Sequence, residues 1–372
     1  MARRLCFALL LLLLQSTAAA QTTPEQILEQ AIALHQAGEI EGAIRQYRAY
    51  LKLRPDSPEV RSNLGAALAS TGRYSEAIVE YQAVLKQGPR DPRIWLNLAL
   101  ALYKEGRIAE AARELEALHA AQPANPQVVL LVADCWLRQG ENTKVIGLLA
   151  PLDQRNQGDL AIAYLLGMAL LRDKQIDRGQ RIVDRILRNG DSAEAHLLLG
   201  MAKLEALEYP AAIADLSKAA ELNPHLPDLY SYLGQAQMAS GDMAASRAAF
   251  EKELAQDPND FESNLRLAVL LKEDGDYGRA HELLARALRV RPGDPGALYQ
   301  VGATDLAAGD LGRACATLEK VVKQSPQFLE AHVSLAQAYY RLKRKADGDR
   351  ERRLVQELKA SQDANQSAGK VQ

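Results

Sequence analysis

A small residue returns at a fixed interval through this chain: Ala31, Gly65, Ala99, Ala133, Gly167, Gly200, Gly234, Ala268, Gly302 and Ala336. Every step is 34 residues except Gly167 to Gly200, which is 33. A second series keeps the same phase, at Ala43, Ala77, Ala111, Val145, Gly179, Ala212, Ser246, Ala280 and Ala314. Turn glycines form a third series (Gly38, Gly72, Gly106, Gly140, Gly241, Gly275, Gly309). Prolines form a fourth (Pro55, Pro89, Pro123, Pro224, Pro258, Pro292, Pro326). A shared period of this length marks stacked units, none of which can bury its apolar face alone.

Each period holds two stretches of apolar residues spaced by three and four, the spacing of one helix face. In the second period, Leu64 and Leu68 share a face over 59–70. Ala77, Ile78, Tyr81 and Leu85 share one over 75–86. Helices of about a dozen residues are marginal alone, so they must pack on each other and on the next pair. Pro58, Pro92, Pro126, Pro227 and Pro295 fall where they would open helices, a position in which the missing N–H costs nothing. Gly65 stands inside a helix, at a propensity cost of about 1 kcal/mol. The period explains it as a close approach of the paired helix.

These residues resemble the tetratricopeptide repeat, W-x2-L-G-x2-Y followed by A-x3-F and P. The third repeat carries Trp95, Leu98, Ala99, Leu102, Ala111, Leu115 and Pro123, the second Leu64, Gly65, Leu68, Ala77, Tyr81 and Pro89. The seventh carries Tyr230, Leu233, Gly234, Ser246, Phe250 and Pro258. The resemblance implies an all-α, right-handed superhelical solenoid of nine to ten helix pairs. Its repeats run 24–57, 58–91, 92–125, 126–159, 160–192, 193–226, 227–260, 261–294 and 295–328. The structural signature is Gly65, Ala77, Ala99, Ala111, Gly167, Gly200, Ala212, Gly234, Ala280, Gly302 and Ala314. Residues 329–360 read as a degenerate tenth repeat with a basic capping helix, and 361–372 as a polar, disordered tail. Repeats 4 and 5 depart from the pattern. Gly147 and Pro151 interrupt an expected helix, Lys174 replaces a turn glycine, and both closing prolines are missing. Tolerated drift and a bend near residues 140–160 both fit.

The first twenty residues read as a secretory leader: Arg3 and Arg4, an apolar run from Leu5 to Leu14, then Ala18-Ala19-Ala20 before Gln21. The apolar run is too short to span a bilayer. The expectation is an exported, periplasmic or secreted protein with no stable membrane insertion of the mature chain. Formal net charge is −2 and becomes −4 without Arg3 and Arg4, which points away from nucleic acid. Oligomeric state is open. Cys135 and Cys315 lie five repeats apart and are expected to be free core residues.

Catalytic and cofactor motifs are absent: no phosphate loop, no H-E-x-x-H, no C-x-x-C, no G-x-S-x-G. His196 and His332 share one repeat position and read as helix-face residues rather than a metal pair. Glu251, Glu253 and Glu262 read as solvated. The expectation is a chain that is no enzyme and takes no metal or cofactor. By the resemblance, positions 2, 5, 9, 12 and 13 of the first helix contact peptides. Positions 5, 9 and 12 yield an apolar candidate groove of Leu96, Leu100, Tyr103, Tyr164, Met168, Leu171, Leu197, Met201, Tyr299 and Tyr340. Small Ser62, Ala66 and Ala69 leave repeat 2 smooth beside it. The resemblance thus implies a protein-binding scaffold of the cell envelope, capturing an unidentified apolar peptide or helix. The alternative is a spacer or assembly factor in a secretion, pilus or outer-membrane complex, using convex or edge surfaces.

Overall fold

The computed structural model describes residues 23–88, 91–188 and 190–369, with side chains described to 361. The leader expected over 1–20 lies outside them, as does Pro89. Among the described residues the chain is an all-α repeat solenoid of twenty helices. They run in pairs: α1 (Pro24–Gln36) with α2 (Ile40–Leu53), α3 (Pro58–Ser70) with α4 (Tyr74–Gln87), and α5 (Pro92–Lys104) with α6 (Ile108–Ala121). Next come α7 (Pro126–Gln139) with α8 (Asn142–Arg155), α9 (Leu160–Arg172) with α10 (Ile176–Leu187), and α11 (Ala193–Glu205) with α12 (Tyr209–Leu222). Then follow α13 (Leu229–Ser240) with α14 (Met243–Gln256) and α15 (Phe261–Glu273) with α16 (Tyr277–Val290). The last pairs are α17 (Pro295–Ala308) with α18 (Leu311–Gln324) and α19 (Leu329–Arg341) with α20 (Lys345–Gly369). Two compact units divide at Asn97 and Leu98, inside α5. The smaller holds α1–α4 and the larger α6–α20.

The periodic glycines answer to large side chains on the paired helix. A Cβ on Gly65 would lie 2.7 Å from the Tyr81 ring, one on Gly234 2.6 Å from Phe250, and one on Gly200 2.5 Å from Leu216. Gly302 meets Leu318 at 2.7 Å, while Gly167 meets Leu198 of the following repeat at 2.9 Å. The small partners Ala77, Ala99, Ala111, Ala212, Ala280 and Ala314 are fully buried. Cys135 and Cys315 are free and buried, small core residues in separate repeats.

Each tight turn between paired helices needs one left-handed residue. Glycine supplies it at Gly72 (φ 77°) and Gly106 (φ 82°), but Lys174 (φ 58°), Leu207 (φ 62°) and Lys343 (φ 61°) take the same conformation. The closing hydrogen bond is also the same: Arg73 N to Leu68 O is 2.9 Å, and Gln175 N to Leu170 O is 2.8 Å. The backbone requirement therefore survives the loss of glycine. A side chain in this region costs about 1–2 kcal/mol, part of which glycine returns through its freer unfolded chain. Lys174→Gly and Leu207→Gly should each raise stability by about 0.5–1 kcal/mol, read as a higher urea midpoint at unchanged slope.

Three expectations need correcting. Helix α8 runs unbroken through Pro151. The carbonyl that its ring would crowd belongs to Gly147, four residues back, which is exposed and has open space beside it. Pro227 does not open a helix: α13 begins at Leu229, because Asp228 sits at φ 64°. Residues 361–369 are helical, as the end of α20, rather than disordered.

Candidate functional site

The expected apolar groove does not form a continuous surface. Met168, Leu171, Leu197 and Met201 are each 3% exposed or less and belong to one core cluster. The first helix of a pair packs against its own partner and against both neighbours, so positions 5, 9 and 12 turn inward in these repeats. Leu171, for instance, lies 2.5 Å from where a Cβ on Gly179 of α10 would be. Leu96 and Leu100 are half-buried. Tyr299 packs against Phe328 with ring centroids 5.1 Å apart and the planes tilted by 43°. Tyr340 is exposed at the end of the larger unit, its hydroxyl donating to Asp349 at 2.8 Å. Tyr103 donates to Asp134 at 2.6 Å.

Tyr164 does face a cavity. Leu160, Ile186 and Leu226 wall an apolar space of about 380 Å³ around it, and Asp191 and Glu194 stand among its lining. This cavity falls where the fifth repeat is one residue short. Leu160 is 47% exposed at its mouth. Burial pushes the Tyr164 phenol well above its ordinary range, and its hydroxyl is buried without a hydrogen-bond partner.

A second cavity, of about 240 Å³, is polar. Arg172 of α9 is its hub. Its Nε donates to the Tyr232 hydroxyl at 2.6 Å, Nη1 to the Leu137 carbonyl at 3.1 Å, and Nη2 to Asp228 at 2.9 Å. That pairing holds Asp228 in its left-handed conformation and delays the start of α13. The N–H groups of that first turn, which have no helical partner, are taken by Glu253 of α14, which accepts from Asp228 at 3.1 Å, Tyr230 at 3.0 Å and Ser231 at 3.3 Å. Glu253 is thus buried, contrary to its solvated reading. Burial first, then the nearby charges of Asp260 and Asp228, push its carboxyl up to about 8, outweighing the three N–H donors that favour the anion. Burial and Asp228 likewise push Asp260 up to about 6. At the cavity's other side Arg291 lies over the Phe261 ring, 3.8 Å from its centroid. Burial lowers its basicity, and so does the charge of Arg172.

Family comparison matches the tetratricopeptide repeat to residues 28–92, 102–166, 164–227, 197–261, 238–300 and 302–348. The chain belongs to the tetratricopeptide repeat family. Superkiller protein 3 of Schizosaccharomyces pombe is 31% identical over 96 residues, which is 26% of this chain and 7% of that one. Hsp70-Hsp90 organizing protein of Triticum aestivum is 47% identical over 51 residues, 14% of this chain and 9% of that one. The chain therefore spans under a tenth of these two relatives. Among solved structures, the APC/C hetero-tetramer Cut9-Hcn1 superposes with a TM-score of 0.57 at 14% identity, over 90% of this chain and 73% of that one. That likeness shows the fold.

In tetratricopeptide numbering Arg138, Arg172 and Glu205 of the polar cavity's lining hold position 13, and Asp228 and Glu262 hold position 2. Tetratricopeptide proteins serve as protein-interaction scaffolds. Glu253 had its own signal. It occupies a position that Leu118, Ala219, Ala287 and Val321 fill in other repeats.

The two histidines are saturated. His196 meets Asp215 at 3.0 Å and Asp191 at 2.7 Å, and His332 meets Glu351 at 2.7 Å and the Pro326 carbonyl at 3.0 Å. Among the described residues no group of three His, Cys, Asp or Glu is placed to hold a metal ion. No described helix is long and apolar enough to cross a membrane.

Proposed function

We propose that this chain is a non-catalytic scaffold of the cell envelope that captures a partner segment by seating an apolar side chain against Tyr164. The observation that carries the reading is the Tyr164 cavity: apolar walls, an exposed Leu160 at the mouth, and two carboxylates among the lining. Apolar pockets with few polar groups are common ligand seats. Asp191 and Glu194 favour a segment with a basic residue beside its apolar anchor, a feature of electrostatic specificity. The envelope assignment rests on the pattern of the first twenty-one residues, and cleavage before Gln21 in an exporting host tests it.

Leu160→Glu places a charge at the mouth without touching the buried core. Affinity capture from an envelope fraction, read by mass spectrometry, should lose a partner that the native chain retains, while the circular dichroism spectrum stays unchanged. Equal capture by both proteins would sink the assignment. A spacer or assembly role has one observation in its favour: Val79 on α4, a second helix of its pair, is 61% exposed. Partner crosslinks confined to the second helices would select that reading.

A further inference from the structure

Within the larger unit, repeats far apart in sequence touch. The loop joining α14 to α15 (Asp257-Pro258-Asn259-Asp260) reaches the C-terminal ends of α5 and α7. Asp257 pairs with Arg138, 119 residues away. Asn259 Nδ2 donates to the Lys104 carbonyl at 3.2 Å, and a side chain on Gly106 would run into Asn259. At the end of α16, Arg291 Nε donates to the Arg138 carbonyl at 2.6 Å. The receiving residues are not arbitrary. Tyr103, Lys104, Asp134 and Arg138 hold positions 12, 13, 9 and 13 of repeats 3 and 4, on the first helix of each pair. Arg138 lies over the Tyr103 ring, 5.0 Å from its centroid, and its Nε donates to Asp134 at 3.2 Å. Asp257 therefore docks on a preformed cation.

We propose that the α14–α15 loop is an internal ligand, occupying a partner face on repeats 3 and 4 that accepts an acidic extended segment. The loop itself shows the chemistry that fits: a carboxylate on the Arg138 guanidinium and, two residues on, a side-chain amide donating to a backbone carbonyl. The loop's bonds to α5 and α7 are polar. The Arg138 and Asp257 side chains are only 13% and 25% exposed, so salt screens their pairing weakly; a partner segment of like chemistry replaces the loop by competing for Arg138. This surface is distinct from the Tyr164 cavity, and either assignment can fail alone.

The test uses the full mature chain with spin labels at Thr143→Cys and Ala255→Cys, both exposed positions, and a fluorescent peptide spanning residues 254–261. In the native chain at low salt one narrow label distance is expected. Asp257→Ala/Asn259→Ala should lengthen and broaden it. The peptide should bind that variant about ten-fold tighter than the native chain, a difference of about 1.4 kcal/mol. Adding Arg138→Gln should abolish the gain. An unchanged distance, or equal peptide binding by native chain and variant, overturns the proposal. If the variant loses helicity, the native chain carries the test. An excess of the 254–261 peptide should lengthen the distance in the native chain, and a distance that stays fixed overturns the proposal.

Discussion

Arg172→Ala should lower the unfolding free energy of the larger unit by about 3–5 kcal/mol, the usual effect of removing one partner from a buried charge network. Three acids, Asp228, Glu253 and Asp260, converge at the start of α13, and Arg172 is paired directly with Asp228. It also supplies donors to Tyr232 and to the last turn of α7. Without it, Asp228 has no cation to hold it at φ 64°, and the first turn of α13 loses the arrangement that Glu253 caps. Arg172→Lys keeps charge but cannot serve three acceptors in fixed directions, so it should recover only part of the loss. A denaturant midpoint within error of native for Arg172→Ala would show that the network contributes nothing net.

The same cluster predicts a pH dependence with a definite sign. The carboxyls of Glu253 and Asp260 are raised to about 8 and about 6 in the folded chain, above their unfolded values of 4.5 and 3.8. The folded state therefore binds more protons than the unfolded state between those limits. Stability from these groups is fully present below about pH 4 and is lost as pH rises toward 8. Glu253→Gln cannot ionise, so it should flatten the upper part of that decline in the same denaturant series, at a lower overall stability because its amide nitrogen cannot accept from the backbone N–H groups that both carboxyl oxygens serve.

How much of this was legible in the sequence differs by level. The frame was open to view because Gly65, Gly200, Gly234 and Gly302 each face a bulky residue sixteen positions on, and that demand repeats. The turn conformation was hidden at Lys174 and Leu207, because a strained backbone leaves no residue signature when glycine is absent. Periodicity shows which helix face a residue occupies but not how many neighbours cover that face. Met168, Leu171, Leu197 and Met201 therefore look identical in sequence whether they line a groove or a core. Tyr164 differs in lining a cavity, which lies beside the one-residue shortening of repeat 5. Glu253 was readable in principle, as an acid in a column of Leu, Ala and Val. Its role was not, since the N–H groups it caps are freed by Asp228, whose conformation depends on Arg172 two repeats earlier.

Gly65→Leu tests the packing rule that sets the whole array. Tyr81 is 2% exposed, and its ring lies 2.7 Å from the position of a Cβ on Gly65, so even alanine forces a shift. Overpacking a filled core costs about 1–3 kcal/mol, and a leucine here, with four carbons where none fit, should reach roughly 3 kcal/mol or more. The gain in helix propensity on replacing glycine, about 1 kcal/mol, does not offset that. The melting temperature of the smaller unit should fall clearly, and an unchanged melt would refute the close-approach account. The chain also indicates a rescue. Ala99 stands opposite Leu115, Ala133 opposite Leu149 and Ala268 opposite Leu284, so alanine at this position is compatible with a leucine partner. Ala336 at the end of the array faces Arg352, and Ala31 faces Tyr47, whose hydroxyl is tied to His35 at 3.2 Å. Gly65→Ala combined with Tyr81→Leu should therefore restore most of what Gly65→Ala alone loses. A double variant no more stable than the single would mean that Gly65 answers to the helix backbone rather than to the Tyr81 ring.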